Sequence, residues 1–391
     1  MSFEKLLPLL QEKKEIALSD DKKWKKVGKD SPIVLMPCSY NAGEVVKVLL
    51  SDGFNICKIC DNNSNLHGEV IEGIGVAPVE YIGNIQSDNK IIVISKSPKV
   101  FESLSQQVMS LGISKCRIYN FYDMLNSVSD RLRRDLHYPY LRFHNSELNQ
   151  IDKKEIEAAA PTIMQVMNFM SDELSKSVLL HVLAARSFED FRIVSSVIED
   201  NQYFPDFFPI RENEVFVDAG AYDGDSARDF IKHASAVSDY IIHCFEPNPP
   251  VYLKLAESMK ANRHVVCHKL GLGSAEEVTK FTSGSTRGGR IDNKGDVEVQ
   301  ITSGDILGIK PTWIKADVEG SEMALLKGFQ NTIKKYKPRL SICVYHNSYD
   351  LWEIPVYIKS LVPEYRLFLR HHFMNIWESV LHAAVDGDYS L

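Results

Sequence analysis

The 391-residue chain lacks an excess of positive charge: Lys plus Arg number 45 against 52 for Asp plus Glu, a net charge of −7. No basic field exists to gather phosphate backbones, so a nucleic acid is not expected as a partner. The chain also lacks any apolar run near the roughly 18 to 20 residues that a membrane-spanning helix requires. Its opening stretch, MSFEKLLPLLQEKKEIALSDDKKWKK, has neither a signal-peptide core nor a cleavage site, and the expected location is the cytoplasm. A disulfide framework is equally unexpected, because the seven cysteines are odd in number and scattered through apolar runs. Cys57 and Cys60 form a lone CxxC, but in the run FNICKIC a strand sends residues three apart to opposite faces, which favours core thiols over a zinc or redox site. Tandem repeats and low-complexity segments are missing as well.

What is present is ordinary globular material, 44% hydrophobic and 25% charged, enough at about 150 residues per domain for two or three units. Residues 1–30 are charged and Lys-rich, with Leu6, Leu7, Leu9 and Leu10 giving a short amphipathic helix. From Pro32 apolar runs alternate with helical patterns (PIVLMPC, AGEVVKVLLSDG, FNICKICD, KIIVIS, a helix around Lys99 to Leu111, KCRIYNF), which predicts a βαβ unit over residues 31–127. Residues 128–200 take a helical period, with Ile163, Val166, Met167, Met170, Leu174, Val178, Leu179, Val182 and Leu183 at spacings of three and four. This predicts a helical connector and a candidate homodimer surface. Met164, Met167 and Met170 there read as core packing. Over residues 201–391 the βαβ rhythm returns, and seven strands with intervening helices and a last antiparallel hairpin can be counted. The predicted elements include a helix from Ser321 to about Lys335, and the strand-like pieces VTKFTS and VEVQIT flank a Gly-rich turn.

The most informative stretch is VFVDAGAYDGDS, from Val215 to Ser226, an apolar strand running through a tight loop into a helix. Gly220 and Gly224 permit close approach of a ligand to the backbone, and the helix N-terminus offers oriented N–H groups. In CFEPN, Glu246 ends the next strand, where an acidic side chain suits a ribose diol because it accepts two hydrogen bonds. Together the two motifs indicate an adenosyl-type ligand. A dinucleotide loop reads G-x-G-x-x-G, whereas this one reads D-x-G-x-x-x-G, and its carboxylate would repel pyrophosphate. S-adenosylmethionine is therefore expected over NAD, and dehydrogenation is disfavoured.

VFVDAGAYDGDS, HCFEPNP, WIKADVEGSEMALLKG and KPRLSICVYHNSYDLWEIPVYIKSL together resemble the FkbM family of S-adenosylmethionine-dependent methyltransferases, from about Gln202 to the C-terminus. The resemblance implies a class I methyltransferase fold, a seven-stranded doubly wound α/β sheet with an antiparallel last strand. It also implies methylation of a hydroxyl, often on a sugar or another secondary metabolite. By the same resemblance Asp218, Ala219, Gly220 and the turn through Tyr222, Asp223 and Ser226 hold the methionyl part of the cofactor. Glu246, with Pro247 and Asn248, holds the ribose, and Gly271 and Leu272, in the run to Gly273, lie near the adenine.

Methyl transfer from a sulfonium is an in-line displacement that needs an acceptor oxygen roughly 3 Å from the methyl carbon and a dry site. Asp317 and Glu319, in IKADVEG, stand at the carboxyl end of a strand, where side chains reach the cleft. Asp317 is the expected general base or acceptor-positioning group, with Glu319 supporting it. Capping of the following helix is the competing account of Glu319. His346, ending ICVYH, is the rival base, with an unperturbed pKa near 6.5. The same three residues are a candidate set for a divalent metal. Tyr203 and Phe204 form an aromatic entry segment that covers cofactor or substrate, or else packs on the sheet edge. Arg287 and Arg290, in TSGSTRGGRIDN, are candidates to grip a substrate phosphate, against the simpler reading of a solvated hairpin tip.

The segment from Ser31 to Ile82 resembles the nucleotide-binding-like α/β domains appended to sugar-modifying enzymes. Asp61 and the pair Asn62 and Asn63 sit where a ribose would be met. The first loop has only Gly43 where three glycines cradle pyrophosphate, so the unit reads as a degenerate Rossmann domain. The resulting expectation is an O-methyltransferase for a sugar or nucleotide-sugar, or for a polysaccharide precursor. A lipid-linked or polyketide-type hydroxyl is the alternative acceptor, and a non-catalytic S-adenosylmethionine-binding module is the alternative of another class.

Overall fold

The computed structural model describes residues 3–19, 25–38, 42–86, 88–94, 98–128, 153–188, 190–282, 290–291, 295, 297–373 and 377–390. The chain forms two compact units, one of Glu15–Ser146 and one of Met1–Lys14 with Glu147–Leu391. Among the described residues no helix is long and apolar enough to cross a membrane. Helix α1 (Phe3–Ser19) buries Leu6 and Leu10.

In the first unit the strands are β1 (Ile33–Met36), β2 (Ile56–Asp61), β3 (Val70–Ile71), β4 (Ile74–Pro78), β5 (Lys90–Val93) and β6 (Ile118–Asn120). They lie in the order β3-β4-β2-β1-β5-β6, parallel except for the β3–β4 hairpin. Helices α2 (Ala42–Ser51), α3 (Pro98–Ser110) and α4 (Phe121–Ser127) punctuate the strands. Val34, Met36, Ile91 and Val93 are fully buried, as expected of parallel strands covered on both faces. Along β2, Cys57 is exposed and Cys60 buried, the alternation a strand demands. Both carboxylate oxygens of Asp61 accept from backbone N–H groups, of Cys38 at 2.6 Å and of Asn63 at 2.7 Å, so this side chain anchors the two loops at the end of β2.

The second unit holds β7 (Glu214–Ala219), β8 (Tyr240–Phe245), β9 (Val265–His268), β10 (Gly271–Gly273), β11 (Glu277–Thr282), β12 (Arg290–Ile291), β13 (Val297–Ser303), β14 (Trp313–Ala316), β15 (Arg339–Cys343), β16 (Arg366–His371) and β17 (Ser379–Ala384). Seven of these form one sheet in the order β16-β17-β15-β14-β7-β8-β9. All pairs are parallel except those of β17, which is inserted antiparallel between β16 and β15. This is the class I methyltransferase arrangement. The runs expected as strands in VTKFTS and VEVQIT do not join that sheet. They are β11 and β13, which pair with β10 and β12 in a separate four-stranded sheet, something local alternation alone does not distinguish.

The helices of this unit are α5 (Lys153–Phe169), α6 (Glu173–Phe188), α7 (Asp225–His233), α8 (Pro249–Met259), α9 (Glu322–Gly328), α10 (Gln330–Tyr336) and α11 (Asp350–Leu361). The single helix expected from Ser321 to Lys335 is two, α9 and α10, with Phe329 ending one and starting the other. Gly328 sits so close to β10 that a Cβ would lie 1.9 Å from the Gly273 carbonyl oxygen, which ties the break to the second sheet. Residues 153–188, read from sequence as a connector, lie in the same compact unit as the seven-stranded sheet. The segment from Ser171 to Ser175 lines the edge of β16. Ser171 N donates to Leu367 O at 2.9 Å, while Leu367 N donates to Ser171 Oγ at 3.0 Å and Leu369 N to Ser175 Oγ at 2.9 Å. Arg370 adds a 2.6 Å ion pair to Asp172. A row of strand N–H and C=O groups that would otherwise be open is thereby occupied.

Polar residues inside the sheet pair with one another and with nearby backbone. Trp313 donates through Nε1 to Ser341 Oγ at 3.0 Å. Arg339 pairs with Glu214 and donates to Pro209 O at 2.6 Å.

Candidate active site

In an open α/β sheet ligands bind beyond the carboxyl ends of the strands, where the strand order reverses, and here that point lies between β7 and β14. The two strand ends are stitched together by Asp317 N donating to Ala219 O at 3.1 Å. Gly220 N and Ala221 N each reach Phe245 O of β8, also at 3.1 Å. Gly220 is obligatory in this joint: its φ is +74°, and a Cβ would stand 1.8 Å from the Asp317 carbonyl oxygen.

Asp218 is fully buried, accepting from Ser226 Oγ at 2.6 Å and lying 3.0 Å from Lys315 Nζ. Lys315 points back from β14 to donate to Gly220 O at 2.9 Å, and its ammonium lies 4.9 Å from the centroid of the Tyr203 ring. Burial disfavours the ammonium, but Asp218 and Asp317 outweigh it and hold the Lys315 pKa above its ordinary value. Asp218 and Ser226 are thus anchors of the loop. Asp223 is held by Arg228 at 2.6 Å, and Tyr222, at φ +47°, donates its N–H to Glu246 at 3.2 Å.

Glu246 also accepts from Asn248 N at 2.8 Å, and burial pushes its carboxyl up to about 7. Asn248 Oδ1 is buried with no hydrogen-bond partner among the described residues, an orphaned acceptor beside that carboxylate. Gly271 brings β10 against Pro247, its Cβ position 3.4 Å from the proline Cβ, and Leu272 is buried next to it. Of the residues singled out for the cofactor, Tyr222, Glu246, Pro247, Asn248 and Gly271 are thus held together beyond the end of β8, while Asp218 and Ser226 are buried beneath them. Spare lone pairs on Glu246 and the open Asn248 acceptor fit a ligand bearing a diol and an amine.

On the β14 side, Asp317 Oδ2 accepts from Tyr203 Oη at 2.8 Å and Oδ1 from Tyr345 Oη at 3.0 Å. Burial would raise its carboxyl, yet Lys315, His346 and the two phenols hold it below the ordinary value. His346 Nδ1 lies 2.8 Å from Glu322 Oε1, and Nε2 lies 3.5 Å from both Asp317 Oδ1 and Glu319 Oε2. Against the effect of burial, those carboxylates push the imidazole up to about 10. Glu319 stands at φ +53°, and burial pushes it up to about 8.

Asp317, Glu322 and His346 each offer a ligand atom within 4.8 Å of one another, close to the metal set expected from sequence but with Glu322 in place of Glu319. Tyr203 reaches Asp317, as an entry-segment residue could. Arg287 lies outside the described residues, as does the side chain of Arg290, whose backbone pairs with Thr282. Lys315, Glu322 and Tyr345 went unnoticed in the sequence. The only signals were a lysine inside the apolar run WIKA and a tyrosine one residue before His346.

Residues 218–373 match the family described as the methyltransferase FkbM domain. The hexuronic acid methyltransferase AglP of Haloferax volcanii is 31% identical over 104 residues, which make up 24% of this chain and 43% of that protein. The match therefore spans less than half the length of this curated relative. Among solved structures, the methyltransferase FkbM from Methylobacillus flagellatus KT superposes with a TM-score of 0.55, covering 97% of this chain and 98% of that one at 19% identity. The strand order and the stitched loop agree with that match, so residues 218–373 carry a methyltransferase FkbM domain.

Proposed function

We propose that this FkbM-type methyltransferase uses S-adenosylmethionine to methylate a hydroxyl of a sugar, either a nucleotide-activated sugar or a polysaccharide precursor. The observation that carries the reading is the crevice at the β7–β14 switch. Its β8 side ends in Glu246 and Asn248, and its β14 side ends in Asp317 and Glu319. S-adenosylmethionine, when bound, supplies an electrophilic methyl group on a sulfonium. Glu246 and Asn248 would accept hydrogen bonds from its ribose and adenine. Asp317, kept ionised by Lys315 and fixed by Tyr203 and Tyr345, would present a negative charge to the sulfonium and orient the acceptor. Of its two expected roles, positioning suits Asp317 better than proton removal, since both its oxygens already accept hydrogen bonds. The sugar class rests on the hexuronic acid methyltransferase relative.

The test is calorimetric titration with S-adenosylmethionine, S-adenosylhomocysteine and NAD, before and after EDTA dialysis. Labelled methyl transfer would then be screened over hexoses, uronic acids and nucleotide sugars. Micromolar binding of both adenosyl ligands without NAD, followed by transfer to a sugar, is the expected result. NAD binding alone overturns the reading, and adenosyl binding without transfer to any hydroxyl leaves a binding module.

A further inference from the structure

We propose that Asp317, Glu322 and His346 bind one first-row divalent cation, Mn2+ or Zn2+, on the β14 side of the crevice, with its remaining positions open to the acceptor hydroxyl. The site stands on its own geometry, whereas the role given to the cation deepens the methyl-transfer reading and rests on it.

Buried polar atoms are almost always paired, and one that is not calls for an explanation such as an ion. Two of them occur together here. Glu322 Oε2 and His346 Nδ1 are buried without a hydrogen-bond partner among the described residues. The Glu322 side chain is fully buried, and its other oxygen is fixed by Val318 N at 2.9 Å. That oxygen lies 2.8 Å from His346 Nδ1, a contact with the length of a hydrogen bond but without its alignment. Metal bonds of about 2.0–2.2 Å account for such a spacing, because they set two ligand atoms at right angles about 3 Å apart. Asp317 completes the set, each of the three residues offering a ligand atom within 4.8 Å of the others. A slight inward movement brings that span to the width of one coordination shell, about 4.4 Å.

Both oxygens of Asp317 accept from phenols, and each keeps a second lone pair. Burial is graded across the set, with side-chain exposures of 0% for Glu322, 7% for His346 and 23% for Asp317. A cation is therefore reached from the crevice and turns its open positions toward it. Two carboxylates match a double positive charge, and the imidazole favours Mn2+ or Zn2+ over Mg2+ or Ca2+, which keep to oxygen. In the metal-free protein the carboxylates hold a proton on the ring instead. Bound beside Asp317, the cation would hold the acceptor oxygen and make its proton easier to lose.

The test uses untagged protein stripped with EDTA and titrated with MnCl2 or ZnCl2 by calorimetry. One equivalent bound with micromolar affinity is expected. Electron spin-echo modulation of the Mn2+-loaded protein should show coupling to one imidazole nitrogen, lost in His346→Gln. His346→Gln and Asp317→Asn should each weaken Mn2+ binding tenfold or more and keep S-adenosylhomocysteine affinity. Transfer by the unmodified protein should fall tenfold or more on stripping and return with Mn2+ or Zn2+. No binding at millimolar metal, binding without imidazole coupling, or binding unchanged in both variants overturns the site. Undiminished transfer by protein shown metal-free by mass spectrometry overturns the role of the cation and leaves methyl transfer intact. Metal binding as expected, with no transfer to any hydroxyl, overturns the methyl-transfer reading and leaves the site.

Discussion

Replacing Gly220 by alanine tests whether the β7–β14 joint is as tight as the geometry says. The added Cβ would lie 1.8 Å from the Asp317 carbonyl oxygen, whereas real contacts stay beyond 3.0 Å, so the strand ends must part by about an ångström. Parting them strains or breaks the 3.1 Å bond from Asp317 N to Ala219 O. The left-handed backbone costs about 1 kcal/mol for a non-glycine residue, overpacking about 1–3 kcal/mol and the weakened hydrogen bond about 1 kcal/mol. Together these amount to about 3–5 kcal/mol, or a fall in melting temperature of roughly 6–20 °C for a unit of this size. Gly308 is the control: its φ is +69° but nothing lies within 4 Å of the Cβ position, so Gly308→Ala carries only the backbone cost. Urea unfolding and thermal scans of the two variants measure the difference directly. Equal destabilisation would refute the close-approach argument. Because the joint is also the floor of the crevice, Gly220→Ala should lose S-adenosylhomocysteine binding and Gly308→Ala should keep it.

Lys315→Met strands the buried Asp218 and removes the cation beside the partly buried Asp317, and is expected to cost about 3–5 kcal/mol in urea unfolding. A partial recovery in the Lys315→Met, Asp218→Asn double variant checks that the lost pairing is the cause. Glu246→Gln should weaken S-adenosylhomocysteine binding about tenfold or more, read by calorimetry, because it removes a charged acceptor for two hydroxyl donors. The pH dependence of stability has a definite sign. Glu319, Glu246 and His346 have raised pKa values in the folded state, so their contributions are present below their unfolded values and fade as pH rises, through about 7 for Glu246, about 8 for Glu319 and about 10 for His346. Asp317 and Asp172, held low, contribute above their unfolded values near 3.8, and that is lost as pH falls through their lower folded values. Maximum stability is therefore expected near pH 5, and His346→Gln should flatten the decline between about 6.5 and about 10.

The sheet, the loop after β7 and the acidic ends of β8 and β14 were legible in the sequence because each is written locally, as an apolar run closed by a glycine or a carboxylate. The mutual arrangement of the side chains was not. Tyr203 and Asp317 are 114 residues apart and Lys315 and Gly220 are 95 apart, so nothing in either neighbourhood announces the contact. Glu322 reads as an ordinary first-turn acid of a helix, and only the fold turns it inward onto His346. The same holds for β11 and β13, whose alternation specifies a strand but not its sheet, and for Ser175, whose bond to Leu369 N spans 194 residues.

The hydrogen bonds from Ser171 and Ser175 to β16 set where the enzyme can be cut. A fragment beginning at residue 201, where the sequence rhythm changes, would contain every strand of the seven-stranded sheet and every residue named at the crevice. It would also leave the N–H groups of Leu367 and Leu369 without their hydroxyl partners along a strand whose residues from Leu367 to His371 are all buried. Such an edge is a template for a second chain, so the helices before residue 190 act as a built-in guard against self-association, and a soluble catalytic fragment has to begin ahead of them.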